Sequence, residues 1–122
     1  MLNSYKELIV WQKSVLLVEK IYLLTAHFPK NEEYGLAIQM RRAAVSIPSN
    51  IAEGSRRKDT PEFLQFLRIA DASSAELETQ LIITKRIYTR LDLDEENSLL
   101  QEIQKMLYAL MRRLATKKRK AV

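Results

Sequence analysis

The sequence holds no cysteine, one histidine, two glycines and three prolines in 122 residues. Without cysteine there is no disulfide framework, no thiol nucleophile and no thiolate metal site. A lone His27 leaves no histidine pair for a metal. The Glu-x-x-His motif that a bundle di-metal centre places on two helices is absent. No cofactor is expected. Sandwiches and barrels rely on many tight turns, so the scarcity of glycine and proline excludes an all-β fold. The longest apolar run, Met106 to Met111, is six residues, against about 20 for a membrane span. No basic flank with an apolar signal core opens the chain, so the expectation is a soluble, cytoplasmic protein. The single glycine of Gly54-Ser55-Arg56-Arg57-Lys58 makes no phosphate loop. No serine pairs with a base in a nucleophile elbow.

What is present is helical patterning. Ser4-Tyr5-Lys6-Glu7 reads as a capping box. Leu8, Trp11, Val15, Val18 and Tyr22 then recur at steps of three and four, with Leu17, Ile21, Leu24 and Phe28 beside them. Pro29 is expected to end this first helix. Asn31 is the expected N-cap of a second, with Glu32 and Glu33 suiting its positive end. That helix is apolar nearly all round, apart from a polar seam of Gln39, Arg42, Ser46, Ser49, Asn50 and Glu53. Such a helix wants neighbours nearly all round, which one bundle does not easily supply, and this hints at an oligomer. Pro48 should kink it and Gly54 should stop it.

Asp59-Thr60-Pro61-Glu62 opens a third helix, in which Phe63, Leu67, Ala70, Ser74, Leu77, Leu81, Thr84 and Tyr88 keep the alternation. A fourth starts near Asp92 or Asp94, with Leu100, Ile103, Leu107, Leu110 and Leu114 as its seam. Short connections make sequential helices antiparallel. The expected fold is all-α: an up-down-up-down four-helix bundle over residues 1–115, then a basic tail, 116–122, that frays into solvent.

Charge is segregated. Residues 112–122 carry six basic side chains and no acidic one, while 61–111 carry five basic and nine acidic. One basic cluster, Arg56, Arg57 and Lys58, lies on the expected turn between the second and third helices. The other comprises Arg112, Arg113, Lys117, Lys118, Arg119 and Lys120. By helix parity both fall at one end of the bundle. Such clusters neutralise phosphates, and RNA or DNA is therefore the leading candidate partner. No aromatic lies inside either cluster, so base stacking on them is not expected. The alternative is a protein-interaction scaffold with a solubilising tail. Carboxylate chemistry at Glu53, Glu76 or Glu78 would need an accessible pocket around them. Antiparallel counting about Arg57 instead sets Arg42 against about Ala72 to Glu76, where a buried Arg42–Glu76 contact would be structural. No residue is assigned a catalytic role.

Several strings resemble one family. They are Leu8-Ile9-Val10-Trp11-Gln12-Lys13, Phe28-Pro29, the block from Glu33-Tyr34-Gly35 through Arg41-Arg42-Ala43 and Ser46-Ile47-Pro48-Ser49-Asn50-Ile51-Ala52-Glu53-Gly54, Phe63 to Ala70, and Glu76 to Leu81. Together they resemble the bacterial four-helix bundle proteins named for genes in intervening sequences of 23S ribosomal RNA, over about residues 5–114. The resemblance implies a homopentameric ring and a nucleic-acid-associated role without catalytic residues. It marks Arg41, Arg42, Asn50 and Glu53 as structural motif positions. Ala72-Ser73-Ser74 departs from the Gly-Ser-Leu common in the family but stays small.

Overall fold

The computed structural model describes residues 4–32 and 35–121, with side chains as far as Lys117. Glu33 and the side chains of Lys118, Arg119 and Lys120 lie outside the described residues. Four helices pack as a bundle: α1 Ile9–Thr25, α2 Leu36–Ser55, α3 Thr60–Ile87 and α4 Asp94–Ala121. Each touches two others, and α1 and α3 stand at opposite corners. The Lys13–Glu102 and Lys20–Glu95 ion pairs, at 2.8 and 3.1 Å, set α1 antiparallel to α4: one index rises by seven as the other falls by seven.

The core is a continuous cluster to which all four helices contribute, with Leu17, Ile21, Met40, Ile47, Leu77 and Ile103 among its fully enclosed side chains. Each such side chain contributes about 1.5–3 kcal/mol on leaving water. The buried line of α1 is Val10, Ser14, Leu17, Ile21 and Thr25. The expected line through Trp11, Val15 and Val18 is only half-buried, and Tyr22 is exposed. The true line includes two hydroxyl residues, which apolar counting passes over. Both can be buried because their own helix satisfies them. Ser14 Oγ donates to the Trp11 carbonyl at 2.8 Å, and Thr25 Oγ1 to that of Ile21 at 2.7 Å.

Several expected helix ends move. Ser4 Oγ accepts the Lys6 amide at 3.1 Å and closes a 3-10 turn, Tyr5–Glu7, so the capping box serves this turn and α1 begins later. α1 stops at Thr25, before Pro29, where the Ala26 and His27 amides bind the carbonyls of Tyr22 and Leu24. Asn31 lies in a second 3-10 turn, Lys30–Glu32, and is not the cap of α2, which begins after Gly35. Pro48 is buried inside a helix that continues to Ser55. Gly54 is not a left-handed stop, since no glycine has positive φ. It is a buried helical residue where α2 and α3 cross closely. Asp59 does cap α3, its carboxylate accepting the Glu62 amide at 2.8 Å. α4 does not fray from Thr116 but stays helical to Ala121.

Candidate nucleic-acid interface

The α2–α3 contact carries a polar seam, and its pairing differs from expectation. Arg42 and Glu76 are both exposed and form no ion pair. The close pairs Ser46–Ser73 and Gly54–Phe66 place the centre of symmetry near Asp59–Thr60 rather than at Arg57. Arg42 is thereby level with Leu77–Glu78 and faces outward. The contact there is instead a half-buried hydroxyl pair, Ser46 Oγ to Ser73 Oγ at 2.7 Å, braced by Asn50 Nδ2 donating to the Ser46 carbonyl at 2.8 Å and to its Oγ at 3.0 Å. The next residue, Ser74, ties α3 to α4 by accepting from Gln104 Nε2 at 3.3 Å. Two consecutive small hydroxyl residues thus link α3 to both of its neighbours. Arg41 clips α1 to α2: its Nε donates to Thr25 Oγ1 at 2.8 Å, and its guanidinium lies 4.5 Å from the centre of the Tyr22 ring. Glu53 pairs with Arg57 at 3.0 Å. The remaining candidate for carboxylate chemistry, Glu78, is half-buried and shares no hydrogen bond with the other two.

At the far end, His27 is exposed and lines a cleft with Phe28, Tyr88 and Arg90. The Tyr88 hydroxyl donates to Glu32 Oε2 at 3.1 Å. Burial first, then that hydrogen bond and the carboxylate charge, hold the phenol above its ordinary value of 10.0.

The two basic clusters meet as helix parity requires. The Gln104–Ser74 contact fixes the α3–α4 register. By it, Arg112 is level with Phe66 and Lys117 with Pro61. The α2–α3 turn that carries Arg56, Arg57 and Lys58 lies immediately beyond. Arg113 also reaches the start of α1, beside Glu7, Leu8 and Ile9. Arg56, Arg57, Lys58, Arg112, Arg113 and Lys117 are all exposed. They are not equivalent. Arg57 is held twice, by Glu53 and by the Phe66 ring, whose centre lies 4.8 Å from its guanidinium. Arg56 and Lys58 have no ion-pair partner among the described residues. Because α4 stays helical, Arg112, Arg113 and Lys117 are carried on one helix, towards its negative end.

One residue escaped the sequence reading. Tyr108 is 60% exposed on α4, one turn before Arg112, whose guanidinium lies 5.8 Å from its ring centre. The signal was the i, i+4 spacing to an arginine, which lies within the expected fourth helix.

Among the described residues, no helix is long and apolar enough to cross a membrane. A comparison with curated proteins finds no match. Among solved structures, the chain is similar to a protein of unknown function from the S23 ribosomal protein family of Bacteroides thetaiotaomicron VPI-5482. The TM-score is 0.77 at 24% identity, over 84% of this chain and 98% of that one, a likeness of fold. The family model for 23S rRNA-intervening sequence proteins matches residues 6–109. With its motif block on α2 and most of its length matched, the chain belongs to the 23S rRNA-intervening sequence protein family.

Proposed function

We propose that this chain is a non-enzymatic, oligomeric bundle that binds structured RNA or DNA through its basic end. The observation that carries the reading is the convergence of the α2–α3 turn and the C-terminal half of α4 on one end of the bundle. Cations gathered on one surface neutralise neighbouring phosphates and release counterions, so binding is salt-steep and weakly sequence-specific. The test is titration of a structured RNA at several salt concentrations, with the 122-residue chain and with one ending at Thr116. The shorter chain is expected to lose about 0.7–0.9 of logarithmic salt slope for each phosphate contact removed. If neither chain binds above background, the reading fails and a protein partner takes its place.

The same proposal includes assembly as a homopentameric ring. Ile9, Leu16 and Leu23 are 57, 43 and 69% exposed and lie seven residues apart, in one line along α1. Ile69, Ile83 and Ile87, at 40, 42 and 56%, form a second, unlike line on α3 at the opposite corner. Two different apolar surfaces facing away from each other suit a heterologous, head-to-tail interface, the kind that makes a ring when its rotation closes. In a ring, several basic ends act together through effective concentration. Light scattering is expected to give about five times the 14.2 kDa subunit mass, and Leu23→Lys to shift it towards the monomer. A 14.2 kDa species for the unmodified chain would dispose of the ring.

A further inference from the structure

We infer that Tyr108 is a stacking platform for an unpaired base of the bound nucleic acid, with Lys105 and Arg112 holding the phosphates on either side. This rests on the nucleic-acid reading and adds to it a preference for unpaired over duplex strands.

Lys105, Tyr108 and Arg112 stand at i−3, i and i+4 on one helix, a spacing that puts them on a single exposed strip. Tyr108 is 60% exposed, and its hydroxyl makes no hydrogen bond among the described residues, so apart from the Arg112 guanidinium beside its ring no bond within the chain accounts for it. The strip's two charges, Lys105 and Arg112, are both positive, and after Glu102 the chain has no acidic residue. An exposed ring interleaved with cations is what single-stranded nucleic acid uses. The ring takes a base face, the cations track the backbone, and any base is accepted because every base has a π-face. The Arg112 guanidinium lies over the ring, 5.8 Å from its centre, and adds a cation–π contact from one face while the base takes the other. A base inside a duplex is already stacked on its neighbours and does not reach such a site.

A contact between subunits is the competing use of an exposed aromatic. The apolar lines on α1 and α3 suit that role, and Tyr108 suits it less. A protein surface covering Tyr108 would also cover Lys105 and Arg112, which lack ion-pair partners among the described residues, and burying unpaired cations is costly.

The experiment compares a hairpin RNA carrying an open loop with a blunt duplex of equal length, for the unmodified chain, Tyr108→Ala and Tyr108→Phe. Tyr108→Ala is expected to weaken hairpin binding about tenfold, the loss of one stacked base. Duplex binding and the salt slope should stay as they were, and Tyr108→Phe should bind like the unmodified chain. Equal losses on both RNAs, or an unchanged preference, would overturn the assignment while leaving the basic end intact. So would a change in assembled mass in Tyr108→Ala, which would place the ring in a subunit contact. If the unmodified chain binds neither RNA, the nucleic-acid reading falls and the stacking role with it.

Discussion

Gly54→Ala is expected to lower the unfolding free energy by about 1–2 kcal/mol, although alanine is the better helix former by about 1 kcal/mol. A Cβ at position 54 would stand 2.6 Å from the Phe66 Cβ and 3.0 Å from Phe63 Cδ1, with the Phe63 carbonyl oxygen at 3.3 Å. The Phe63 ring can rotate. The Phe66 Cβ is bonded to the α3 backbone and has nowhere to go, so α2 and α3 must separate. That separation strains the contacts that depend on their closeness: the Arg57–Phe66 stacking and, two turns away, the Ser46–Ser73 hydroxyl pair. The propensity gain is therefore outweighed by overpacking. Chemical denaturation at matched protein concentration reads the effect, since self-association shifts apparent stability. Gly35→Ala is the control. There the nearest atom is Glu32 Oε1 at 3.2 Å, the mobile end of a flexible side chain. Losing a glycine N-cap should then cost under about 1 kcal/mol. A midpoint for Gly54→Ala equal to or above that of the unmodified chain would mean the crossing opens freely.

The helix count, the alternation along α3 and the Asp59 cap are legible in the sequence because they depend on neighbours three or four residues away. Leu67, Ala70, Ser74, Leu77, Leu81 and Thr84 are all buried in the expected line. Helix ends are less legible, because a 3-10 turn uses the same capping chemistry as an α-helix, as at Ser4. Gly54 is misread for a related reason. Glycine serves both as a left-handed stop and as a site of close helix approach, and only the partner helix decides between them. The Arg42–Glu76 pairing fails on register. An error of two or three residues in the turn centre rotates a pairing off the interface, and Ser46 and Ser73, too small to stand out, occupy the place. At the basic end, parity suffices to bring the clusters together. Their inequality is not legible, because Arg56, Arg57 and Lys58 look alike until Glu53 and Phe66 are seen around the middle one.

That inequality predicts which loop cations bind phosphate. The double variant Arg56→Gln, Lys58→Gln removes two exposed charges with no internal partner. If each neutralises one phosphate, the logarithmic salt slope falls by about 1.8, and affinity falls on the order of fiftyfold at 0.1 M salt. Arg57→Gln removes a charge already shared with Glu53 at 3.0 Å and seated against the Phe66 ring. To reach a phosphate, Arg57 would have to leave both, so its loss should change the slope by well under one and affinity by less than about tenfold. Its cost appears in stability instead. An exposed i, i+4 ion pair contributes about 0.3–0.5 kcal/mol and a surface cation–π contact about 0.5–1 kcal/mol, together near 1 kcal/mol. The loop double variant should leave stability close to unchanged, since it breaks no ion pair seen among the described residues. The two variants should therefore separate binding from folding in opposite directions. If Arg57→Gln weakens RNA binding as much as the double variant does, the turn rearranges on binding and Arg57 leaves Glu53. If the double variant binds as the unmodified chain does, the α2–α3 turn is not part of the interface, and the α4 cations must bind alone.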